Sequence, residues 1–91
     1  MLEEKFLEET VQAVWNKGRI VSGYDPSKYR KDICSALIAR SRYGDRNSKN
    51  GWEIDHIDPN GSDNLDNLQP LQWENNVAKS DSGRLKCVVT S

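Results

Sequence analysis

Apolar side chains recur at helical spacing near the start of the chain. Leu7, Val11, Val14 and Trp15 form a stripe that Leu2 and Phe6 extend, which predicts an amphipathic helix over residues 2–17. Glu3, Glu4, Glu8 and Glu9 load its first half, Lys17 closes it, and both suit the helix dipole. Gly18 supplies the stop. Residues 19–25 read as a connector, and Asp25-Pro26 as an N-cap with proline at the first position of a short helical turn. Between Asp32 and Tyr43 the period is ambiguous: Ile33, Leu37 and Ile38 fit either a turn-containing knuckle or a helix. A polar loop covers Gly44 to Gly51.

The pattern then changes to period two. Trp52-Glu53-Ile54-Asp55-His56-Ile57 alternates apolar and polar until its last two positions, which predicts a strand. Asp58 to Asn64 is a loop by its Pro, Gly, Asn and Asp content. Leu68 to Trp73 predicts a short returning strand that Pro70 confines to an edge or a bulge. A helix is expected over Glu74 to Ser80, and a last strand within Arg84 to Thr90. Trp52, Trp73, Ile54, Ile57, Leu68 and Leu71 are the expected core around this hairpin.

With 91 residues, 35% hydrophobic and 30% charged, the expectation is one small domain with a thin core. No run approaches the roughly 20 apolar residues that span a bilayer. The acidic start lacks the pattern of a signal peptide, so the expected setting is cytoplasmic, without membrane contact. In that setting Cys34 and Cys87 are expected as two free thiols. Two cysteines and one histidine, widely separated, do not make a tetrahedral zinc site, so no structural zinc is expected.

The net charge of −1 conceals an asymmetry. Residues 17–49 carry nine Lys and Arg against three Asp, a net of +6, whereas residues 50–78 carry six acids and no base, a net of −6. Such a division fits a basic surface for phosphates beside an acidic pocket for a cation, or else two solvated loops.

Asp55 and the chain's only histidine, His56, stand together at the end of the predicted strand, with Asn67 after the loop and Asn76 on the predicted helix. Phosphodiester hydrolysis needs a group that accepts a proton from water near neutral pH, which imidazole does. It also needs charge stabilisation at the leaving oxygen, which a divalent cation provides. Mg²⁺ takes oxygen ligands, often one or two from protein. The segment GWEIDHIDPNGSDNLDNLQPLQWENNVAKSD resembles the HNH endonuclease motif, with its DH pair, the NL after a Gly/Asp-rich loop and a closing N-x-x-K. The preceding YRKDICSALIARSRYGDRNSKNGW is similar to the lead-in of small bacterial members.

The resemblance implies an α+β fold, an N-terminal helix followed by a ββα-metal finger, a β-hairpin with a long loop and then a helix. It divides the chain into the helix at 1–18, a basic lead-in and knuckle at 19–51, the finger at 52–81 and a tail at 82–91. It implies His56 as general base, and Asn67 as the residue whose oxygen orients the imidazole. Asp55 and Asn76 become ligands of one Mg²⁺ or Mn²⁺, with Asn where the family name has its last His. Asn75 is the neighbouring candidate for that role; adjacent helical residues lie about 100° apart, so only one faces the metal. Relatives often carry Cys-Gly in the knuckle where this chain has Cys34-Ser35. Glu53 shares the face of Asp55 and either assists the metal through water or is solvated or salt-bridged. Arg40, Arg42 and Lys79 are candidate phosphate contacts.

The implied activity is nicking or cutting of DNA, with double-stranded DNA as partner and 5′-phosphate and 3′-hydroxyl ends. No helix-turn-helix is recognisable, so low sequence specificity is expected. A concerted double-strand cut would need a homodimer or larger complex. The competing readings are a module on the same fold that binds nucleic acid or protein without catalysis, and a nuclease effector domain that needs a partner. A calcium loop is excluded by spacing: counted from Asp58, Asp63 and Gln69 fall where an EF-hand needs Gly and Glu.

Overall fold

The computed structural model describes residues 6–91. It is a mixed α+β structure, with two helices and two antiparallel two-stranded sheets among the described residues. Helix α1 spans Glu8–Trp15; residues 2–5 of the expected helix lie outside the described part. Val11, Val14 and Trp15 are buried as the stripe predicts, and Phe6 packs against them. Leu7 is 70% exposed, a correction to the stripe. It stands at the N-cap, where its carbonyl accepts from Thr10 and Val11 while its side chain lies off the buried face. The helix ends through Gly18, whose N–H bonds the Trp15 carbonyl.

Strands β1 (Tyr29–Lys31) and β2 (Leu37–Ala39) pair antiparallel, Arg30 opposite Ile38. The ambiguous segment is therefore a knuckle and not a helix. Its turn is held by Asp32, whose Oδ1 accepts from the N–H groups of Cys34 and Ala36. Ser35 takes a positive φ of 68° there, the conformation for which glycine is suited. The Asp25-Pro26 segment forms a turn in which Asp25 accepts from the Ser27 N–H and hydroxyl. These hydrogen bonds hold the Asp25 carboxyl below its ordinary range.

Strands β3 (Trp52–His56) and β4 (Leu68–Gln72) form the second hairpin, with Glu53 opposite Leu71 and Asp55 opposite Gln69. Pro70 is accommodated opposite Ile54, on a sheet with two strands only. Helix α2 (Trp73–Ser82) follows at once, longer than expected at both ends. The Gln72 side chain caps it by accepting from Glu74 and Asn75, and Gly83 closes it in the left-handed conformation.

Val11, Val14, Trp15, Ile38, Trp52 and Leu68 form the core where α1, β2 and the hairpin meet. Each buried aliphatic side chain contributes about 1.5–3 kcal/mol. The Trp52 ring lies between Trp15 and Tyr43, with centroids 5.2 and 4.9 Å away. Ile57, expected in the core, is exposed because it lies past the last paired residue of β3.

Two further expectations are corrected at the C-terminus. The tail forms no strand. Cys34 and Cys87 are joined as a disulfide instead of standing free. The tail is also gripped by Asn75, whose Oδ1 accepts from Val88 and Val89 at 2.7 and 2.8 Å and whose Nδ2 donates to the Val89 carbonyl. Its backbone groups bond a side chain and not a neighbouring strand. No helix among the described residues is long and apolar enough to cross a membrane.

Candidate functional site

Period two places Glu53 and Asp55 on one face of β3, and α2 packs across that face. Helical spacing then sets Asn76 and Lys79, three residues apart, against the two carboxylates. Asn76 Nδ2 donates to Glu53 Oε1 at 2.8 Å. Lys79 Nζ donates to both oxygens of Asp55, at 2.9 and 3.0 Å. Asp55, His56, Asn76 and Lys79 line one cleft of about 290 Å³, together with Ile54, Pro59, Ser80 and Gly83.

The sequence left a choice between Asn75 and Asn76, and their geometry separates them. Asn75 is fully buried and points away from the cleft, bonding Asp32 Oδ2 and the tail. Asn76 lines the cleft, and with Nδ2 donating to Glu53 its Oδ1 has no hydrogen bond among the described residues.

His56 Nε2 lies 2.6 Å from Asp63 Oδ1. An ionised carboxylate can only accept, so this contact puts a ring proton at Nε2 and leaves Nδ1 as the nitrogen without a hydrogen bond among the described residues. Orientation of the imidazole, assigned in the sequence to Asn67, therefore falls to Asp63. Asn67 pins the loop instead: Oδ1 accepts from the Asp58 N–H at 2.9 Å, and Nδ2 donates to the Asp58 and Ser62 carbonyls. Its backbone carbonyl accepts from Ile57 at 2.8 Å, just beyond His56. Nothing in the spacing of a loop rich in Asn and Asp singles out Asp63. Gln69, which donates to Asp55 Oδ2 at 2.9 Å, is marked only by its register opposite Asp55.

The candidate phosphate contacts are also revised. Lys79 is not a surface cation; it is buried, and its ammonium further donates to the carbonyls of His56 and Ile57. Arg40, in the turn that follows β2, bonds Glu8 and Gln12 of α1 and lies over the Trp52 ring. Arg42 is exposed, paired with Asp45 at 3.3 Å. Glu53 is salt-bridged, with Arg46 donating to both its oxygens at 2.6 and 3.0 Å. That bond raises the Arg46 pKa above its ordinary value. Much of the basic block is thus spent inside the fold, since Arg30 and Lys17 also bond backbone carbonyls.

No group of three or more His, Cys, Asp or Glu side chains forms a metal cage among the described residues. The donor set in the cleft is of another kind, one carboxylate and one amide oxygen beside open space. That set fits a hard cation which keeps most of its shell as water and phosphate, and does not fit a soft metal. No protein-family model, curated protein or solved structure matches the chain.

Proposed function

We propose that the chain is a divalent-metal-dependent endonuclease of the HNH class that hydrolyses DNA phosphodiester bonds, with His56 as general base. The observation that carries this reading is the convergence of Asp55, His56 and Asn76 on one cleft, carried by an antiparallel hairpin and the helix that follows it. We read that hairpin and helix as the ββα-metal finger.

Asp55 and the Asn76 amide oxygen would hold one Mg²⁺ or Mn²⁺. Bound there, the cation supplies charge stabilisation at the phosphate and leaving oxygen. His56 accepts the proton of the attacking water at Nδ1, while Asp63 keeps the opposite edge of the ring occupied. Asn67 keeps the loop that carries Asp63 folded back against the hairpin. Arg42 is the phosphate contact this reading retains, since its side chain is 55% exposed. Double-stranded DNA is the proposed substrate, cut with low sequence specificity.

Two substitutions separate the roles. His56→Ala is expected to abolish cleavage of DNA and leave metal binding intact. Asp55→Ala is expected to lose both. Cleavage retained by His56→Ala contradicts the assignment of the base.

One observation favours a second reading. Both carboxylates on the site face of β3 already carry an internal cation, Arg46 on Glu53 and Lys79 on Asp55. A module that binds nucleic acid or protein on this fold without catalysis needs no divalent ion. Equal DNA binding with and without metal, and no cleavage, is its signature.

A further inference from the structure

The Lys79 ammonium lies among four oxygens. Asp55 Oδ1 and Oδ2 are at 2.9 and 3.0 Å, the Ile57 carbonyl is at 3.3 Å, and the His56 carbonyl makes a short contact. Lysine and aspartate side chains are each only 7% exposed, so water screens the pair little. A carboxylate with backbone carbonyls is also the donor set that a hard cation selects. An ammonium has three protons for these four oxygens and no acceptor of its own. It sits where positive charge is already satisfied, next to the one carboxylate on which the proposed cation depends.

We propose that Lys79 competes with the divalent cation for Asp55. This inference rests on the metal assignment above and deepens it. Two cations near one carboxylate repel, and the repulsion is strong where water is excluded. The cation must therefore either displace the ammonium or bind beside it against that repulsion. Gln69, donating to Asp55 Oδ2, occupies a further lone pair and strengthens the effect. In both cases the free chain binds the cation weakly, and the weakness resides in one side chain.

The test is Mn²⁺ affinity, read by electron paramagnetic resonance of free and bound ion, for the unaltered chain, Lys79→Ala and Lys79→Arg. Lys79→Ala is expected to bind Mn²⁺ at least about tenfold more tightly, and Lys79→Arg, which keeps the charge, to stay as weak as the unaltered chain. Removing the ammonium leaves a buried carboxylate unpaired, so Lys79→Ala is also expected to melt at lower temperature and to recover with added Mn²⁺. Recovery of folding by Mn²⁺ alone supports competition even if the metal-free variant is unfolded. A variant that stays unfolded in millimolar Mn²⁺, or folds and binds no more tightly, overturns it.

Asp55→Asn separates the two levels of the argument. Mn²⁺ binding lost in Asp55→Asn, with no gain in Lys79→Ala, overturns the competition and leaves the metal assignment standing. Mn²⁺ binding untouched by Asp55→Asn overturns the metal assignment and the competition together.

Discussion

A general base works only if its ring is held with the correct nitrogen toward water. For the general base proposed here, His56, that hold would come from Asp63, whose side chain is 78% exposed on the long loop. Exposure limits its electrostatic effect, so its part is positional. Asp63→Ala is expected to lower kcat about tenfold with a smaller change in KM. Asp63→Asn keeps an acceptor oxygen and should retain more of the rate; equal loss in both variants would point to the charge instead. A second residue-scale prediction concerns Ser35, held at a φ of 68°. Ser35→Gly removes the strain of a side chain in the left-handed region and is expected to stabilise the chain by about 1 kcal/mol in urea unfolding. The Arg19 contact to the Ser35 hydroxyl is exposed, and its loss subtracts little. The knuckle therefore keeps its turn with serine where relatives of the resembled family often have glycine.

Among the elements, the hairpin and α2 were the most legible, and for a physical reason. Alternation from Trp52 to Asp55, turn chemistry from Asp58 and the apolar residues of β4 each act locally. The partners of the polar residues were not legible, because they come from other elements. Asp32 and Asn75 show this best. Asp32 is a buried carboxylate whose four hydrogen bonds reach Cys34, Ala36, Gln72 and Asn75. It joins the knuckle to the start of α2, and Asn75 passes that connection to the tail. In sequence each is one more polar residue. Asn75→Ala leaves the Val88 and Val89 N–H groups and the Val89 carbonyl without this partner, and takes one of two donors from Asp32 Oδ2. A loss of about 3 kcal/mol is expected, measured by denaturant unfolding. A loss near zero would show that water replaces Asn75 and that the tail is not held through it.

For the molecule as a whole, part of the division of charge along the chain is taken up inside the fold. The basic segment reaches across to the acidic one through Arg46 and Glu53, and back to α1 through Arg40 and Glu8. A sum over sequence cannot distinguish cations that face a ligand from those that close the fold. The tail is joined to the knuckle across 53 residues by the Cys34–Cys87 disulfide. Closing a loop of that length restricts the unfolded chain, so reduction is expected to cost up to about 4 kcal/mol of stability. Urea unfolding with and without a reductant measures it. The bond also overturns the expectation of free thiols, which followed from the cytoplasmic setting that the N-terminal pattern suggested.

We propose above that Asp55, His56 and Asn76 form a metal-dependent nuclease centre in one cleft. It is tested most directly by incubating supercoiled plasmid with the purified chain in Mg²⁺, Mn²⁺ or EDTA. Nicked and then linear DNA is expected with either metal, none in EDTA and none from His56→Ala. Cleavage that persists in EDTA, or intact plasmid under every metal from a folded chain, would contradict it.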